Sequence, residues 1–160
     1  MRSSLERSEQ APGAKTPQRR RVLVVEDEEL AYEGLCVELG HRGLVVDVAR
    51  SVDGAMGRLA DTPYDAVTLD IMLPATIDQV RAVDPDPETD HQGIRILHEI
   101  RRGQHGPGGT GANVPVVIVT AITDATLHER MRELRPQTIF TKPVATEEVA
   151  ETVKLLLSED

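Results

Sequence analysis

The chain contains one cysteine, Cys36, which excludes an internal disulfide framework and a thiolate zinc cluster. Tryptophan is missing and aromatic residues amount to 2% (Tyr32, Tyr64 and Phe140). Stacking platforms for bases or sugars are therefore not expected, and the core must be aliphatic. No apolar run approaches the roughly 18 to 20 residues that cross a bilayer, and the polar start Met1-Arg2-Ser3-Ser4 lacks a signal peptide's apolar stretch. These absences predict a soluble, cytoplasmic protein with no membrane partner. Basic charge is also in deficit: 18 Lys and Arg against 27 Asp and Glu give a net charge of −9. Such a field repels phosphate backbones, so direct nucleic-acid binding is not expected.

What is present suits one globular domain with length to spare: 160 residues, 39% of them hydrophobic. Residues 1–20 are rich in Ser, Gln, Pro and charge without apolar periodicity and read as a disordered basic leader. Residues 1–21 hold six basic groups against Glu6 and Glu9, a sum of +4, so residues 22–160 carry −13. From Arg21 onward, short apolar runs (22–25, 44–48, 65–69, 116–119, 138–141) alternate with helical patterns (about 28–40, 51–60, 92–102, 124–134, 146–157). Continuous Val, Ile and Leu runs suit strands buried on both faces, and five β/α repeats call for a doubly wound parallel sheet with helices on both sides. Two segments interrupt the rhythm. Residues 75–92 form an acidic insertion (Asp78, Asp84, Asp86, Glu88 and Asp90 against Arg81), and Pro85 and Pro87 forbid a regular helix there. Residues 103–115 carry five glycines and two prolines. Both read as mobile loops, a reading that long loops in compact domains invite.

In an open parallel sheet, ligands sit beyond the carboxyl ends of the strands. Those ends carry Glu26-Asp27-Glu28-Glu29, Asp70, Thr120-Ala121 and Lys142-Pro143. Three converging carboxylates repel unless a cation neutralises them, and a hard oxygen site of this kind suits Mg²⁺. With a lysine and a hydroxyl on the same edge, the set becomes a parts list for phosphoryl transfer to an aspartate, with Asp70 at its centre.

Four segments in this order resemble the receiver domain of two-component response regulators: Val22 to Glu28, Tyr64 to Pro74, Val116 to Ala121 and Thr141-Lys142-Pro143. The resemblance spans about residues 21–157 and implies a flavodoxin-like sheet in the order 2-1-3-4-5, with a receiver over 21–158. It implies that Asp70 is the phosphoacceptor, that Asp27 binds Mg²⁺ directly and Glu26 through water, and that Met72 lends its backbone carbonyl to the metal. Thr120 would bond a phosphoryl oxygen, and Lys142 would pair with Asp70 and then with the phosphate. The bond before Pro143 is expected to be cis. Partners implied are a sensor histidine kinase or a histidine phosphotransfer protein, and an output protein met through the fourth helix, fifth strand and fifth helix. The chain reads as a stand-alone signalling protein rather than an enzyme. Met72 and Ile122, two residues beyond Asp70 and Thr120, are apolar where hydrolysis is tuned, which implies a long-lived phosphoform.

Two departures accompany the resemblance. The glycine usual about eight residues after the phosphoacceptor is displaced by some fifteen inserted residues, so that Gly93 is its equivalent. The switch aromatic expected three residues before the lysine is Ile139, and Phe140 should face the other side of the strand. The alternatives fit less well. A phosphohydrolase of the haloacid-dehalogenase type needs an Asp where Met72 stands, and a flavodoxin's phosphate would be repelled by Glu26 to Glu29. A degenerate receiver acting as a phosphorylation-independent binding module is opposed only by the completeness of the site. His91, His98 and His105 recur every seven residues, about 10 Å along a helix and too far apart for one ion; they read as solvated. Cys36 reads as packed rather than reactive.

Overall fold

The computed structural model describes residues 19–74, 92–103 and 105–158. Most of the predicted leader, and the acidic insertion except Gln92, lie outside the described residues, as does His91.

Among the described residues, five strands, β1 (Arg21–Val25), β2 (Val45–Ala49), β3 (Ala66–Leu69), β4 (Val116–Thr120) and β5 (Thr138–Thr141), alternate with five helices. These are α1 (Glu29–His41), α2 (Val52–Asp61), α3 (Gln92–Arg102), α4 (Ala125–Glu133) and α5 (Thr146–Ser158). The strands form one parallel sheet in the order β2-β1-β3-β4-β5, as expected. All four residues of β3 are buried, which is why the apolar runs do not alternate with polar residues.

Successive side chains of a strand enter opposite cores. Leu23, Val25, Val67, Leu69, Val116 and Ile118 pack with α2, α3 and α4 around Leu59, Ile96, Ile100 and Met131. Val22, Val24, Ala66 and Val117 pack with α1 and α5 around Leu35, Leu39, Val149 and Val153. Ile139 joins the first core and Phe140 the second, so the strand's period of two puts the phenylalanine on the side opposite the expected switch position.

The glycine-rich segment differs from the expectation of a mobile loop. Thr110 is 2% exposed; its hydroxyl donates to the Thr62 carbonyl at 2.6 Å and accepts from the Tyr64 amide at 3.1 Å, while its own amide donates to the Leu59 carbonyl at 2.8 Å. The Arg101 guanidinium donates to the carbonyls of Ala112 and Val114, and to those of Leu134 and Arg135 beyond α4. Polar anchors hold this segment where apolar residues are sparse.

Candidate functional site

The sheet ladder extends one residue past three strands and thereby fixes the site. The Glu26 amide donates to the Ala49 carbonyl (3.0 Å), the Asp70 amide to Val25 (3.0 Å) and the Lys142 amide to Thr120 (2.8 Å). The backbones of Glu26, Asp70 and Lys142 are thus held by the same hydrogen bonds that set strand register. The Lys142-Pro143 peptide is cis, as expected.

At the centre, the Lys142 ammonium lies 3.1 Å from Asp70 Oδ2 and 3.1 and 3.2 Å from the two Glu26 oxygens. Asp70 Oδ1 accepts the Met72 amide at 2.9 Å. Glu26, Asp27 and Asp70 each offer an oxygen within 4.8 Å of the others. Glu26 and Asp70 are each 6% exposed, and concentrating carboxylates out of water has a cost visible at Glu26 and Asp27. Burial, then the Asp70 carboxylate, push Glu26 up to about 8 against the pull of Lys142. Burial raises Asp27 as well, with Asp70 adding to the effect and its own backbone opposing it. Burial works to lower Lys142, but Asp70 and Glu26 outweigh it and hold the ammonium above its ordinary range. One lysine therefore offsets three acids incompletely. An all-oxygen donor set with surplus negative charge fits a hard divalent cation such as Mg²⁺.

Sequence reasoning placed Glu26, Asp27, Asp70 and Lys142 together, and the structure brings those four together. Thr120 sits fully buried at the end of β4, where its hydroxyl accepts the Ile122 amide at 3.2 Å; among the described residues that hydroxyl makes no hydrogen bond to Asp70 or Lys142, although the Thr120 carbonyl accepts the Lys142 amide. Met72 is 40% exposed and Ile122 is buried.

Three features were missed. Lys142 is shared with Glu26 rather than reserved for Asp70, and neither residue's spacing announces that pairing. The Met72 amide bears on the site by orienting Asp70. The signal for it was available, since Asp and Thr side chains commonly accept the amide two residues on in Asx and ST turns, and Asp70 and Thr120 both do so. His128 Nε2 lies 2.6 Å from the Ile122 carbonyl, tying α4 to the loop after β4.

Gly93 was expected to replace the displaced glycine, and its surroundings explain why a glycine is needed. A Cβ there would collide with the Asp70 carbonyl oxygen and fall 2.5 Å from Ile71 Cα. Its amide also donates to the Ile71 carbonyl. Helix α3 thus begins pressed against the backbone that carries the site. Of the described histidines at the seven-residue spacing, His98 is exposed on α3, whereas His105, expected to be solvated, has its Nε2 buried without a hydrogen-bond partner among the described residues. Cys36 is half-buried, and burial pushes its thiol up, which opposes reactivity.

Comparisons with known proteins bear on the family and the fold. The family model of the response regulator receiver domain matches residues 22–154. The transcriptional regulatory protein QseB of Haemophilus influenzae is 31% identical over 139 residues, covering 86% of this chain and 52% of that protein. A protein-glutamate methylesterase/protein-glutamine glutaminase of Anaeromyxobacter dehalogenans is 30% identical, covering 72% of this chain and 40% of that protein. The chain spans about half the length of these curated relatives, or less. In fold it is similar to a CheY-like receiver domain protein from Methanospirillum hungatei, with a TM-score of 0.67 at 19% identity, covering 89% of this chain and 96% of that one.

Proposed function

The chain belongs to the family of response regulator receiver domains, and we propose that within it this protein is a working phosphoacceptor, with Asp70 as the accepting residue. The observation that carries the reading is the pinning of the Asp70 carboxylate, Oδ1 by the Met72 amide at 2.9 Å and Oδ2 by the Lys142 ammonium at 3.1 Å, inside the acidic cluster. A carboxylate fixed on both oxygens is pre-oriented for in-line attack.

The donor we propose is a phosphohistidine on a sensor histidine kinase or a histidine phosphotransfer protein. An Asp70 oxygen forms the new bond to phosphorus, the phosphorus–nitrogen bond breaks, and the imidazole leaves with that electron pair. Asp27, Asp70 and the Met72 carbonyl would hold Mg²⁺ directly and Glu26 would hold it through water, and the ion would supply positive charge against the phosphoryl oxygens. Lys142, released from Asp70 as the acyl phosphate forms, remains within reach of those oxygens and contributes a second positive charge. Thr120 donates its hydroxyl proton to a phosphoryl oxygen while still accepting the Ile122 amide, since a hydroxyl can do both. Output passes through a protein partner that distinguishes the two states. Among the described residues no helix is long and apolar enough to cross a membrane, and we place the protein's work in the cytoplasm.

Incubation with acetyl phosphate and Mg²⁺, followed by intact mass, tests this. We expect an adduct of about 80 Da, one phosphoryl group, absent in Asp70→Ala. With Met72 and Ile122 both apolar, attacking water is poorly positioned, so the adduct should persist for minutes or longer. An adduct retained by Asp70→Ala would overturn the assignment of the acceptor, and decay within seconds would overturn the slow hydrolysis. No adduct from acetyl phosphate or from histidine kinases would leave the degenerate binding module as the better reading.

A further inference from the structure

Helix α4 is tied to the loop before it by more than its own cap. His128 Nε2 lies 2.6 Å from the Ile122 carbonyl oxygen. A carbonyl only accepts, so Nε2 carries a proton and donates it. The peptide group on the other side of Ile122 is held as well, because its amide donates to the Thr120 hydroxyl at 3.2 Å. Asp124 closes the rest of the turn, its carboxylate accepting the Leu127 amide at 3.0 Å and its carbonyl the His128 amide at 3.0 Å. A side chain of α4 thus reaches back to the residue that is bonded to Thr120.

These bonds bear on one proton. Thr120 is fully buried, and the Ile122 amide, itself a donor, occupies an acceptor position of its hydroxyl oxygen. The O–H is left to point elsewhere, in a direction set by where the Ile122 amide stands. Ile122 is buried in the first core, which fixes its side chain but not the rotation of the two peptide planes beside it. Hydrogen bonds weaken steeply once misaligned, so the pair at Ile122 restricts that rotation. His128 is half-buried, where its bond competes with less water than an exposed one.

We propose that His128 is a positioning residue for phosphoryl transfer: through the Ile122 peptide groups it holds the Thr120 hydroxyl where its proton can be given to the phosphoryl group. This rests on the reading of Asp70 as phosphoacceptor and Thr120 as donor. His128 acts through Thr120 and not on the reacting atoms, so its loss and the loss of the Thr120 hydroxyl are not additive.

Two measurements on the full chain test this. The first follows hydrogen exchange of the Ile122 amide by NMR, without phosphodonor or metal. His128→Phe, which keeps a ring and removes the donor, should speed that exchange by roughly three- to tenfold, the range of one hydrogen bond. His128→Gln, which returns an N–H near the Nε2 position, should restore slow exchange. The second reads the rate of adduct formation from acetyl phosphate and Mg²⁺ by intact mass. His128→Phe should slow it by a similar factor, His128→Gln should recover it, and in a Thr120→Val background His128→Phe should change nothing further. Thermal melts identify the folded variants; if His128→Phe fails to fold, His128→Leu takes its place, and failure of both would overturn the proposal by making the bond a requirement of the fold. Unchanged Ile122 exchange, an unchanged adduct rate, or a loss of rate that adds in full to that of Thr120→Val would also overturn it. A wild type that gives no adduct sinks the phosphoacceptor reading and the kinetic half of this proposal with it, while amide exchange decides by itself whether His128 holds the turn.

Discussion

Asp70 draws its geometry from neighbours that differ in how visible they are in sequence. The chemistry of Glu26, Asp27, Asp70 and Lys142 was legible because strand ends of a parallel sheet converge, so residue types at those ends identify the cluster. Less legible was the sharing of Lys142 between Glu26 and Asp70, which depends on a few ångströms of side-chain placement. Burial, with Asp70 adding to it, outweighs the shared Lys142 and keeps the Glu26 proton up to about pH 8. In the unfolded chain the proton leaves near 4.5, so between these values the folded state binds more protons, and Glu26 makes stability fall as pH rises. Without divalent cations, thermal melts should show wild type losing more stability than Glu26→Gln between pH 5 and pH 8. Equal losses would show that Glu26 is not held protonated. Gly93 is a second residue-scale case: lacking space for a Cβ against Asp70 and Ile71, Gly93→Ala should cost at least the 1–3 kcal/mol usual for overpacking. Denaturant unfolding would measure it, and an unchanged midpoint would refute the contact.

Helices and strands were legible almost to the residue, because their signals are local. Apolar runs of four or five residues marked the strands, and Ser51 and Asp124 cap α2 and α4 by accepting the amides of Gly54 and Leu127. The glycine-rich segment after α3 was not legible. Composition suggested mobility, but the decisive contacts are single polar groups, Thr110 and Arg101, reaching distant carbonyls. Burial lowers the Arg101 pKa, yet four carbonyl oxygens receive its N–H groups, joining the segment to the turn between α4 and β5. Thr110→Val preserves shape and orphans the Thr62 carbonyl, so it should destabilise the fold by about 1–3 kcal/mol, measurable as a lower unfolding midpoint. A neutral substitution would restore the mobile-loop reading. Strand β5 shows the reverse case, where strict alternation correctly separated Ile139 from Phe140. An aliphatic residue at the inner position leaves Leu127, Met131 and Leu134 to be repacked by a branched side chain.

At the scale of the molecule, the shortage of aromatics and the excess of acid take on distinct meanings. Aliphatic residues build most of both cores, with Tyr64 in the first and Tyr32 and Phe140 packed against the second, and the sheet order followed from the β/α rhythm together with the resemblance to a known family. The acidic excess divides between the site, where it calls for a divalent cation, and the insertion at 75–91, outside the described residues. One carboxylate, held by Met72 and Lys142 at the edge of this sheet, is the proposed acceptor of the phosphoryl group. Borohydride reduction tests it most directly, since it converts an aspartyl phosphate to homoserine and leaves a free carboxylate untouched. After phosphorylation in the presence of Mg²⁺, peptide mass spectrometry should find homoserine at position 70 and at no other aspartate; homoserine elsewhere, with Asp70 intact, would contradict the account.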